Sequence, residues 1–195
     1  MQLTTLGILL LLVSTATARP GPAVDSRADA PNERSRLEIL GSLETSDAMF
    51  LRSFPSDYSA VSLDCDLVLQ YQATEPTYYD VHCITVVDAD SIEIEVTEGD
   101  LLDTVLILYC DPFDPEHSGD NAVVYDDDGG AGGLSAIFAT DGVTLTPGQE
   151  YWLVICGYTH HSQGPYTIAT SANIALCEST AVSPATWTSV KRAYR

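Results

Sequence analysis

Basic side chains are what this chain has least of. Its 195 residues hold 8 Lys and Arg against 28 Asp and Glu, a net charge of −20 with histidine neutral. The eight are Arg19, Arg27, Arg34, Arg36, Arg52, Lys191, Arg192 and Arg195, so the stretch from Ser53 to Val190 carries 22 acidic residues and no Lys or Arg. No carboxylate there can pair with a basic side chain of the same stretch. Such a polyanion excludes nucleic acid and anionic membrane surfaces as expected partners, because phosphates need Lys and Arg to neutralise them. Runs long enough to span a bilayer are missing too, which argues against membrane insertion. So are the motifs G-x-S-x-G, H-E-x-x-H and C-x-x-C and any phosphate-binding glycine loop, and a secreted hydrolase therefore ranks last among the functions considered. With 45% hydrophobic and 18% charged residues, the chain can still build a packed core, which excludes general disorder.

The chain opens without charge. The apolar run Leu6–Val13 ends in Ala16-Thr17-Ala18 before Arg19-Pro20. This predicts a signal peptide over 1–18 and a secreted, extracellular protein that begins at Arg19. Cys65, Cys83, Cys110, Cys156 and Cys177 show no zinc-type spacing. In an exported chain they predict two disulfides and one cysteine left over, with the pairing open.

Residues 19–52, rich in Pro, Ala and charge at the start, predict a flexible leader or a docking arm, and 179–195 a C-terminal tail. Between them, residues 53–178 predict one all-β domain, an antiparallel β-sandwich or jelly roll. Ser91-Ile92-Glu93-Ile94-Glu95-Val96-Thr97 alternates strictly, with aliphatics on one face and carboxylates on the other. The runs Thr104–Cys110 and Tyr151–Cys156 are continuously apolar, as in central strands buried on both faces. Further strands are expected at 60–63, 66–71, 80–87, 121–125, 134–139, 142–145 and 165–170, each bounded by turn residues.

The order of several pieces is informative. Asp103–Tyr109 is followed by Phe113-Asp114-Pro115, then Asn121–Gly130 with its Asp126-Asp127-Asp128-Gly129-Gly130 loop, then Ser135-Ala136-Ile137. Thr146–Tyr151, Gly157-Tyr158 and Gly164–Ile168 complete the series. Across residues 56–171 the chain resembles the bacterial pre-peptidase C-terminal type of domain, a calcium-associated β-sandwich. The resemblance implies a jelly-roll-like fold without catalytic activity, structural Ca²⁺, and attachment to an extracellular protein or glycan polymer. It also suggests Asp103 and Ser135 as further ligands. Here no peptidase is attached, so an orphan adhesion or structural module is the first expectation. A subunit assembling with copies of itself through its N-terminal arm is the second.

Asp126, Asp127 and Asp128 are the leading metal candidates, because Ca²⁺ takes six to eight oxygens and a glycine-rich acidic turn lets carbonyls join the carboxylates. The absence of internal cations favours calcium over an empty acidic loop. Tyr151, Tyr158 and Tyr166 could form an aromatic binding face, although strand aromatics more often fill a core. Glu93 and Glu95 share a strand face, about 7 Å apart along the strand; alternation alone produces such pairs. His160-His161 read as exposed turn residues.

Overall fold

The computed structural model describes residues 35–56, 59–62, 65–88 and 91–177, all within the unit Glu33–Arg195. The expected signal peptide, most of the leader and the C-terminal tail lie outside the described residues. What is described is an antiparallel β-sandwich. The seven-stranded sheet has the order β13 (Ile174–Leu176), β6 (Thr77–Val86), β11 (Glu150–Gly157), β8 (Thr104–Tyr109), β9 (Ala122–Asp126), β4 (Ser59–Val61), and β2 (Met49–Phe50) also pairs with β6. The four-stranded sheet has the order β1 (Glu38–Leu43), β12 (Gly164–Thr170), β7 (Glu93–Gly99), β10 (Ala136–Phe138). A small two-stranded antiparallel sheet pairs β3 (Ser53–Phe54) with β5 (Tyr71–Gln72).

Alternation sets the layers. Ile39 and Leu43 of β1, Ile94 and Val96 of β7 and Ile168 of β12 meet Ile84, Leu106, Leu108, Leu153 and Ile155 of the larger sheet in one core. The other faces of β8 and β11 present Val105, Ile107, Tyr109, Val154 and Cys156 to a second cluster, capped by Phe50, Leu69 and Phe113. The two apolar runs are therefore central strands buried on both sides, as their composition predicts. Each fully buried aliphatic contributes about 1.5–3 kcal/mol.

Two disulfides staple segments of the larger sheet and its loops. Cys65–Cys110 links the segment before β5 to the end of β8, and Cys83–Cys177 fixes the chain after β13 to β6. Cys156 is free and fully buried, with its thiol pushed up to about 12 by burial. Two such bonds indicate an oxidising environment. Among the described residues no helix is long and apolar enough to cross a membrane.

Two expected strands are absent, and one boundary moves. The described part of 19–52 is an arm docked on its own domain: β1 pairs with β12 from Glu38↔Ala169 to Leu43↔Gly164. The folded body therefore starts well before residue 53. Residues 66–71 form no continuous strand, only the bridge Leu67↔Ala122 and the start of β5. Cys65, held by its disulfide, has left-handed φ of 57° just before them, which turns the backbone out of an extended run. Residues 142–145 form no strand either; Val143 and Leu145 are buried in the core without a ladder.

Gly41 explains how closely β1 seats. A Cβ at this position would lie 2.2 Å from the Tyr166 hydroxyl and 2.3 Å from Cζ. Tyr166 in turn donates to Asp80 at 2.7 Å and meets His82 Nε2 at 2.8 Å, both on β6. Gly41→Ala should therefore cost about 1–3 kcal/mol in a denaturant titration through overpacking. An undocked arm would show no such cost, since Gly→Ala in a free segment is neutral or slightly stabilising.

Candidate functional site

The acidic loop follows β9 at the end of the larger sheet where β8 begins and β11 ends. Three connections converge there. Asp103 precedes β8 with left-handed φ of 54°, a conformation Asp tolerates better than most residues, and its carbonyl accepts from Tyr158 N at 2.8 Å. Residues 126–135 turn from β9 into β10 through Gly132 and Gly133, whose φ values of 73° and 81° favour glycine.

The three successive aspartates have different tasks. Asp126 is 4% exposed, and its Oδ2 accepts from Gly129 N and Ala136 N, both at 2.9 Å. That carboxylate closes the loop and does not line the cavity beyond it. Ser135, fully buried, is equally committed: its hydroxyl donates to the Thr104 carbonyl and accepts from Thr104 Oγ1 at 3.1 Å. Asp126 and Ser135, expected as ligands, are thus engaged in internal hydrogen bonds and do not line the cavity.

Asp127 and Asp128, with Asp103, line an open cavity of about 570 Å³ completed by Leu102, Gly132, Gly133, Leu134 and Tyr158. Asp128 and Asp103 are exposed at its walls. Asp127 is only 2% exposed, and its Oδ1 is buried with no hydrogen-bond partner. A buried carboxylate oxygen without a donor is costly. Burial first, then the charge of Asp128, raises its pKa to about 6, against an opposing pull from Arg52. Burial and Asp128 raise Asp103 as well, and burial raises Asp126 despite its two backbone donors.

Arg52 is the residue that sequence reasoning assigned to the leader. It is 4% exposed, its Nη1 donates to Tyr125 Oη at 2.7 Å, and its Nη2 reaches the Tyr158 carbonyl at 3.3 Å. The guanidinium carbon lies 4.7 Å from the centroid of Tyr158. It makes no ion pair with a described carboxylate, yet its field reaches Asp103 and Asp127. The available signal was its position, as the last basic residue before the cation-free stretch.

The other candidates are dispersed. Tyr151 is 3% exposed, with its hydroxyl accepting from Thr146 N, and Tyr166 is 2% exposed between the sheets. Only Tyr158 of the three reaches solvent, at 41%, so the expected aromatic face does not form: core packing claims the other two rings. Glu93 pairs with Arg36, and His160 pairs with Glu75 at 2.6 Å while its ring lies 3.7 Å from that of His161. One trio of potential ligands, Cys83, Glu150 and Cys177, comes within 4.8 Å. Its two sulfurs are bonded to each other and offer no thiolate.

The pH dependence of the metal-free protein follows from Asp127. Its folded pKa of about 6 lies above the ordinary 3.8. Between those values the folded state holds a proton that the unfolded state has released, so stability falls as pH rises through this window and levels off above it. In chelator, denaturation midpoints should therefore climb from pH 7 to pH 5. Asp127→Asn should flatten that slope; an equal slope in the variant would place its origin elsewhere.

Compared with protein-family models, with curated proteins and with solved structures, the chain finds no match. The site therefore rests on its own geometry.

Proposed function

We propose that this protein is a secreted, non-catalytic β-sandwich that serves as an extracellular adhesion or structural module and is stabilised by Ca²⁺ at the cavity of Asp103, Asp127 and Asp128. The observation that carries the metal is the Asp127 carboxylate. Its partnerless oxygen belongs to a residue 2% exposed in a cavity with two more carboxylates. A hard cation supplies what that oxygen lacks and reverses the sign of the local field.

The residues fit a loosely held ion rather than a closed cage. The three carboxylates do not all come within 4.8 Å of one another, so carbonyls of the glycine turn and water would complete the six to eight oxygens Ca²⁺ prefers. Magnesium, which demands a tighter octahedron, suits such a site less well. Bound calcium would hold the 126–135 turn against Asp103. Secretion is supported by the two disulfides, which persist in oxidising compartments. Assembly with copies of itself is the second reading, and the exposed edges of both sheets are where strands could add.

Calcium that binds only the folded state stabilises it by mass action, about 2.7 kcal/mol at a hundredfold excess over Kd. For a domain of this size that is a rise in Tm of about 5–10 °C. Scanning calorimetry in chelator, Ca²⁺ and Mg²⁺ should show this order: calcium highest, chelator lowest. Asp127→Asn combined with Asp128→Asn should remove most of the calcium effect. Identical melting curves in chelator and calcium would refute the metal site.

A further inference from the structure

The cavity is larger than an ion needs. A calcium ion with six to eight oxygen ligands takes up roughly 200 Å³, counting about 30 Å³ per water-sized ligand. The space beside Asp127 measures about 570 Å³, which falls in the range of sites for organic groups. Its lining is mixed. The carboxylates of Asp103, Asp127 and Asp128 share it with Leu102, Leu134 and Tyr158. Leu102 is 73% exposed and Tyr158 41%, so two large apolar side chains stand in water at the rim of an acidic pocket.

An ion alone gives no reason for an apolar rim. A charged head on a hydrocarbon stem uses both parts: the stem covers Leu102 and Leu134, and the head supplies the donor that Asp127 Oδ1 lacks. The net charge of −20 draws such a group in and repels anionic ligands. Arg52, 4.7 Å from the Tyr158 centroid, backs the ring and leaves it as a wall rather than a second cation–π platform.

We infer that this cavity binds the Lys or Arg side chain of a peptide segment on a partner protein, in competition with Ca²⁺ for the carboxylates of Asp127 and Asp128. The inference rests on the adhesion-module reading and narrows its partner to a basic polypeptide. Calcium then acts as the release signal, because metal and side chain share the same oxygens.

The probe is a short neutral peptide with one central lysine, titrated against the whole protein in chelator by NMR or calorimetry. A matched peptide carrying norleucine keeps most of the stem and loses the charge. Binding of the lysine peptide should exceed that of the norleucine peptide about tenfold or more, the effect of one charge-assisted hydrogen bond. Asp128→Asn, at an exposed wall position that should not disturb folding, should weaken binding to a similar degree. Glu150→Gln removes the same charge at the far end of β11 and should leave binding unchanged. Added calcium should displace the peptide. Equal affinity for the two peptides, equal loss in the Asp128 and Glu150 variants, or no loss on adding calcium would overturn the proposal. A calcium-dependent Tm without peptide binding would leave the metal site standing and remove only this inference. Peptide binding without any calcium effect on Tm or on the peptide would refute the metal site and the competition together.

Discussion

Arg52 lies beneath the ring of Tyr158, donates to the hydroxyl of Tyr125, and sends its field to Asp103 and Asp127. The carbonyl of the same residue accepts from Ala73 N at 2.8 Å, which extends the β3–β5 pairing. One residue, through its carbonyl and its guanidinium, thus joins the outer layer, the end of β9 and the loop after β11. In a chain with ordinary charge balance such a residue would be one of many. Here no Lys or Arg follows it until Lys191, so its guanidinium is the basic side chain that the sequence provides next to the acidic loop.

A single guanidinium does not balance that loop. Asp127 stays raised to about 6 even with Arg52 pulling the other way, because burial and Asp128 outweigh the arginine. The loop cannot relax by moving Asp126, whose carboxylate is committed to Gly129 N and Ala136 N. The loop backbone is thereby held in the shape that buries Asp127, and the shortage of positive charge is concentrated at one open cavity. Calcium and a basic side chain are two chemical answers to the same deficit, which is why the proposed function and the proposed partner converge on the same oxygens.

Much of the fold was legible because it depends on burial. Strict alternation in Glu93–Thr97 and the apolar runs of β8 and β11 report their faces directly, and their spacing excluded helices. The edges were harder. β1 was open between a flexible leader and a docking arm, because Leu40 is exposed while Ile39 and Leu43 are buried, and a glycine lies between them. What seats that strand is the Tyr166 ring against Gly41, a contact across 125 positions that no local pattern encodes. Val143 and Leu145 resembled a strand because they are core residues, but they plug the core without pairing. In the loop, Asp126, Asp127 and Asp128 are chemically identical in sequence. Which one caps a turn, which is buried without a donor and which faces solvent is decided by the turn from β9 into β10. Tyr151 and Tyr166 were weighed as a binding face, whereas strand parity turns both rings inward.

The account depends on Asp127 being a buried carboxylate that lacks a donor and gains one from a cation. Its side-chain carboxyl carbon can be followed by NMR across pH 3 to 8, first in chelator and then in calcium. The account predicts a midpoint near 6 without metal and a shift to well below that value when calcium is present. A midpoint at the ordinary carboxylate value of 3.8, the same with and without calcium, would contradict it.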